Sequence, residues 1–133
     1  ARLLQHQHAR SQRPRERIIT ASTREYELAA YETSWRMKVE RIGNLNYPEE
    51  ARRQGLSGHL LLAVTLQADG RLARDGIQVQ RSSGYPLLDE AAVRIVRMSA
   101  PFAPFPDPIR RKYDRLTIIR TWKFGHNHRL SGY

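Results

Sequence analysis

The chain contains no cysteine. Disulfide staples, thiol nucleophiles and thiolate metal sites are therefore excluded. Long apolar runs are also missing. The longest is Leu60 to Val64, far short of the ~20 residues that a membrane-spanning helix needs. Nothing near the N-terminus has the apolar region of a signal peptide. The chain begins with Ala rather than Met, which suggests a fragment or a mature form; any anchor or targeting signal would lie upstream. Walker loops, dinucleotide fingerprints, nucleophile elbows and zinc-ligand spacings are all absent from the sequence.

What is present is a strongly basic chain of 133 residues, with 23 Lys and Arg against 13 Asp and Glu and a formal charge of +10. Nearly all of the positive charge is arginine; the lysines are Lys38, Lys112 and Lys123. That balance favours anionic partners such as nucleic acid, lipid headgroups or peptidoglycan, or serves solubility alone. The length suits one domain with a tail, large enough to fold without covalent staples.

The first part, 1–20, reads as a basic, disordered linker. Arg2, Arg10, Arg13, Arg15 and Arg17 face a single acid, Glu16, and few apolar residues offset the entropy of ordering it. A folded unit is expected over 21–125, with a short tail over 126–133. Its first helix, near 23–42, follows a capping-box pattern from Ser22 to Glu25. Leu28, Tyr31, Trp35, Val39 and Ile42 share one helical face, and Gly43 suits the C-terminal cap. Pro48 opens a second helix near 48–54 that Gly55 ends. Leu60, Leu62, Val64 and Leu66 alternate at a strand's period, and Asp69-Gly70 signals a hairpin turn back into a strand near 75–81. A helix over 86–98 follows Ser82-Ser83-Gly84. Pro101, Pro104, Pro106 and Pro108 then predict irregular chain. In a final strand over 115–124, Leu116, Ile118, Trp122 and Phe124 share a face. Arg120 falls in that apolar register, as an edge-strand arginine or a partner contact. The order predicts an α+β fold: a three-stranded antiparallel sheet packed against helices, with an additional N-terminal helix.

Catalytic chemistry finds no foothold. His6 with His8 and His126 with His128 lie in the predicted tails, and His59 opens a strand. Asp69 and Asp75 belong to turns, while Glu49, Glu50, Asp89 and Glu90 sit in first helical turns, where the helix dipole accounts for them. No catalytic, cofactor-binding or metal-binding residue is assigned, and no enzyme activity is expected. Tyr31, Trp35, Trp122 and Phe124 lie in apolar stripes rather than on an open aromatic platform. No nucleic-acid motif accompanies them.

Several segments together resemble the periplasmic C-terminal domain of the TonB family. Tyr47-Pro48-Glu49-Glu50-Ala51 is similar to that domain's opening Tyr-Pro-x-x-Ala segment. Asp69-Gly70-Arg71 resembles its hairpin, and Ser82-Ser83-Gly84 with Leu88-Asp89-Glu90-Ala91-Ala92 its strand exit and helix start. Phe102-Ala103-Pro104 and Thr121-Trp122-Lys123-Phe124 match its aromatic-x-Pro segment and last strand. The likeness covers about 24–124. Asn44 and Asn46 stand where the best-known version has glutamines, and Ala100 where it has a tryptophan.

The resemblance implies a non-enzymatic force transducer, anchored in the inner membrane and energised there by proton-channel motor proteins. Its periplasmic domain would bind the TonB box of outer-membrane TonB-dependent transporters by strand addition, driving siderophore, heme or vitamin uptake. Receptor-peptide contacts are expected at Asn44, Leu45, Asn46, Tyr47 and Pro48 and along an exposed last strand, Leu116, Thr117, Ile118, Ile119, Arg120, Thr121 and Trp122. That strand would also allow a homodimer. The alternative is a basic periplasmic adaptor that binds peptidoglycan or nucleic acid; under the leading reading no nucleic acid is a partner.

Overall fold

A computed structural model describes residues 15–133. Its elements run β1 (Glu16–Ile19), α1 (Tyr26–Leu45), α2 (Glu49–Gln54), β2 (Gly58–Gln67), β3 (Leu72–Arg81), α3 (Pro86–Ser99), α4 (Asp107–Arg110), β4 (Arg115–Phe124) and β5 (Leu130–Gly132). The expected antiparallel unit is there: β2 pairs with β3 on one side and β4 on the other. Two short strands enlarge it to a mixed five-stranded sheet, ordered β1-β4-β2-β3 with β5 also on β4. β1 lies parallel to β4, and β5 antiparallel to it.

Both short strands come from segments that the composition marks as tails. Residues 1–14 of the expected linker lie outside the described residues. Its end does not: Glu16–Ile19 is a strand, and Ile19 is fully buried. Leu130 likewise draws the expected C-terminal tail onto the sheet, burying its side chain in the core. One apolar side chain in a polar stretch suffices when a sheet edge with unpaired backbone groups lies within reach.

Helices cover one face of the sheet. Leu28, Tyr31, Trp35 and Val39 of α1 are buried as their spacing predicts, against Leu88, Ile95 and Val96 of α3 and Leu116, Ile118, Trp122 and Phe124 of β4. The rings of Trp35 and Trp122 meet nearly edge-to-face at 5.8 Å.

Three local readings change. The capping box does not form: α1 starts after Glu25 without a side-chain cap, and Thr20 N–H instead donates to Thr23 Oγ1 at 2.9 Å. Gly43 does not end α1, whose C-cap is Asn46. It lies inside the helix because a Cβ there would stand 2.4 Å from Leu130 Cδ2. The proline-rich segment is also less irregular than expected, since α4 forms a helical turn at Asp107–Arg110. Upstream of that turn, Phe102 N–H donates to Gly70 O at 2.8 Å and Phe105 N–H to Ala68 O at 2.9 Å. This strap explains Gly70, where φ is +90° and a Cβ would meet Phe102 O at 2.1 Å. Asp75, at φ 53°, and Gly76 form the bulge that shifts the β2–β3 register between Val64 and Leu66.

Candidate functional site

The outward side of β4 is where the structure departs furthest from a bare edge. Thr121 exchanges two backbone hydrogen bonds with Tyr133, at 3.0 and 2.9 Å, and Arg115 N–H donates to Arg15 O at 3.1 Å. Backbone groups alternate sides along a strand, so those of Thr117 and Ile119 face the same way as those of Arg115 and Thr121. β1 covers 115–118 and β5 covers 122–124. The expectation of an exposed last strand is therefore corrected. β4 is an interior strand whose outer flank is completed in two pieces, one from each end of the domain.

β5 is held from both sides. On the side away from β4, the Asn44 amide Nδ2 donates to Leu130 O at 3.1 Å, and Leu130 N–H donates to Asn44 Oδ1 at 2.8 Å. Gly132 N–H donates to Glu40 Oε2 at 2.9 Å. Side chains of α1 thus read the backbone of β5 as a neighbouring strand would. Close packing adds selectivity: Leu130 abuts Gly43, and a Cβ on Gly132 would stand 2.9 Å from the Trp122 ring.

β1 is held by a different set of contacts. Arg15 N–H donates to Asp114 Oδ2 at 2.9 Å, and the Arg15 guanidinium donates to Arg111 O at 2.7 Å. The hydrogen bond from the Arg15 backbone, followed by that from its side chain, holds the Asp114 carboxyl below the usual carboxylate range. Glu16 and Arg115 approach to 3.5 Å across the strand pair, both well exposed. Ile19 is fully buried, whereas Ile18 is 58% exposed.

The sequence-predicted contact residues divide along this flank. Asn44 grips β5, and Tyr47 packs edge-on against Phe124 with its ring 5.7 Å away; burial pushes the Tyr47 hydroxyl pKa up. Asn46 is spent on capping α1, donating to Ile42 O at 2.8 Å. Leu45 projects into solvent, and Pro48 is buried. Leu116, Ile118 and Trp122 are buried core side chains, so only their backbone could touch a partner strand. Thr117, Ile119 and Thr121 are half-buried on the opposite sheet face, where the hydroxyls of Thr117 and Thr65 meet at 2.8 Å.

Arg120 does not stand on a free edge. Its Nε lies 3.2 Å from Glu32 Oε1 on α1, with the two side chains only 11% and 8% exposed. Arg36 approaches the same carboxylate oxygen at 3.7 Å. These are ion pairs without hydrogen-bond alignment.

Sequence reasoning missed Glu40, Asp114, Leu130 and Gly132. An acid on the buried stripe of a helix, Glu32, and an arginine in an apolar strand register were the visible signal for the ion pair. The two-sided grip on β5 had no local signal, because its partners lie 86 and 92 residues apart.

A basic groove runs beside β5, its lining including Arg41, Lys123 and Arg129 against one acid, Glu40, together with His59 and His126. Among the described residues, no group of His, Cys, Asp or Glu side chains could hold a metal ion, and no helix is long and apolar enough to cross a membrane.

Residues 43–125 match the family model described as "Gram-negative bacterial TonB protein C-terminal". β1, nearly all of α1 and β5 lie outside the matched span. Two solved structures are similar, both NMR solution structures of Helicobacter pylori TonB-CTD. That of residues 194–285 is 23% identical, with 78% of this chain and 97% of that chain covered and a TM-score of 0.49. That of residues 179–285 is 25% identical, with 74% and 92% covered and a TM-score of 0.46. No curated protein matches the chain.

Proposed function

Because the chain belongs to the family of Gram-negative bacterial TonB protein C-terminal domains, we propose that it grips the TonB box of outer-membrane TonB-dependent transporters by strand addition along β4. Domains of this family are periplasmic protein-interaction domains whose partners are outer-membrane TonB-dependent receptors. Here the grip passes force from an inner-membrane proton-driven motor, reached through an N-terminal anchor, to uptake of a siderophore, heme or vitamin.

One observation carries the reading: the outward side of β4 already accepts two short strands of opposite direction, β1 and β5. An edge satisfied by separate, short pieces exchanges them at low cost. A box peptide that replaces either piece gains the same backbone hydrogen bonds. Those bonds lie across the strand direction and resist shear, which suits a contact under tension.

The test is a proline and alanine scan across 116–123, reading peptide affinity and circular dichroism together. Proline at Thr117 or Ile119 removes an outward N–H and is expected to abolish binding of a TonB box peptide while the fold persists. Alanine at the same positions costs little, because side chains are secondary in strand addition. Folded proline variants that bind like wild type would overturn the reading.

A second reading has one observation in its favour, the basic groove beside β5. An anionic polymer such as peptidoglycan would bind there with a steep salt dependence, whereas strand addition falls little with added salt.

A further inference from the structure

We propose that β1 is an internal stand-in for the incoming strand: the β1 flank of β4 is a seat for a parallel segment of pattern acid–x–x–aliphatic, and Glu16-Arg17-Ile18-Ile19 fills it until a partner segment of that pattern takes its place. The inference rests on the strand-addition reading and specifies both its partner and its regulation.

Three observations carry it. First, β1 joins the sheet only through β4, so its departure breaks no other pairing. It is four residues long, and the short link 20–25 tethers it to α1, so it can leave while the core strands stay paired.

Second, its contacts state what the seat selects. Glu16 stands opposite Arg115, both in register and as an ion pair at 3.5 Å. Arg17 is half-buried and pairs with Glu25, at 2.6 Å, rather than with β4, and Ile18 faces solvent, so β4 reads neither of the two middle side chains. Ile19 alone is buried, in register with Ile118. An exposed ion pair contributes little to the grip, so one aliphatic side chain and a run of backbone hydrogen bonds hold the strand itself, while Arg15 anchors the residue before it to Asp114 and Arg111. A partner strand supplies the first two equally well.

Third, β1 lies outside the span that the family model matches, while β4 lies inside it. The seat belongs to the shared domain and its occupant to the flanking chain. Release of that occupant by a partner, or by tension on the chain preceding it, makes the exposed grip conditional.

The consequence is competition. A short tether sets the effective concentration of β1 at about millimolar, so an external segment of similar quality binds the resting domain weakly and the unplugged domain well.

The experiment uses the whole 133-residue chain and, as probe, a labelled synthetic peptide of this chain's own residues 15–20. Ile19→Asp expels β1 by placing a charge at its buried position. Glu16→Arg sets like charges against Arg115 and touches nothing in the core. The expected result is probe binding at least ~10-fold tighter to Ile19→Asp than to wild type, with Glu16→Arg between them. The Thr117 and Ile119 amide resonances shift on binding to each. Equal affinity for all three proteins overturns the proposal, as does failure to bind either variant. If Ile19→Asp unfolds, Ile19→Ala, which removes the buried aliphatic group and adds no charge, takes its place, and an affinity equal to that of wild type there also overturns it. A TonB box peptide run in parallel separates the two claims. Equal box binding to all three proteins through β4 keeps the grip and removes the stand-in. Box binding to none removes both.

Discussion

Gly43→Ala sets two effects of known size against each other. Inside a helix, Ala is favoured over Gly by about 0.8–1.0 kcal/mol, and near the end of α1 somewhat less is gained. Against this, the new Cβ would stand 2.4 Å from Leu130 Cδ2 and 3.2 Å from Ile95 Cγ2, where carbon atoms prefer roughly 3.5–4.0 Å. Overpacking a tight core costs about 1–3 kcal/mol. Ile95 is fully buried on α3 and has no room to yield. Leu130 belongs to a three-residue strand, so β5 yields instead. Its loss is bounded by the burial of Leu130, about 1.5–3 kcal/mol. The net expectation is a destabilisation of about 1 kcal/mol, with hydrogen-exchange protection lost at Thr121, Leu130 and Gly132. Leu130→Ala removes the obstructing methyls, so Gly43→Ala becomes neutral or stabilising in that background. Urea denaturation of the four proteins should give a favourable coupling of about 1–2 kcal/mol. A stabilising Gly43→Ala in wild type, or a coupling near zero, would refute the packing of β5 on α1.

Trp35→Ala should cost about 3–5 kcal/mol, read by urea denaturation, because the ring is buried between Trp122 and Phe102. Met37→Ala, at a position 59% exposed on the same helix, should change stability by less than about 0.5 kcal/mol. Removing only Glu32 should cost about 3–5 kcal/mol, because Arg120 is left buried without its acid, whereas removing only Arg120 should cost less, because Arg36 still approaches Glu32; the paired apolar replacement Glu32→Leu with Arg120→Met stays near wild type. Asp89 should contribute to acid sensitivity. Burial raises its pKa, but hydrogen bonds from the Ser82 side chain and from the Ser83 N–H and hydroxyl outweigh that and hold it below the usual carboxylate range. A depressed folded-state pKa stabilises fully above the unfolded value of about 3.9 and is lost as pH falls through the folded value. Asp89→Asn should therefore flatten the acid limb of stability against pH, measured by urea midpoints from neutrality downward.

The central fold was legible because its signals are local and periodic. Alternation placed β2, the apolar stripe placed α1, and the 115–124 bounds of β4 hold to the residue. What escaped depends on contacts distant in sequence. Gly43 reads as a helix end until Leu130 stands against it, and the hold of Asn44 on β5 joins residues 86 apart in sequence. Glu16–Ile19 lacks any strand signal beyond two isoleucines, and only the unpaired flank of β4 makes it a strand. Arg120 reads as an edge arginine until its acid, Glu32, is found on another element.

The most direct measurement of the grip on β4 is an NMR titration of the 133-residue chain with a TonB box peptide at low and high salt. Amide shifts concentrated at Thr117, Ile119 and Thr121 are expected, accompanied by release of β1 or β5, with an affinity that changes little with salt. Shifts confined to the groove of Arg41, Lys123 and Arg129, with binding that collapses as salt is added, would contradict it.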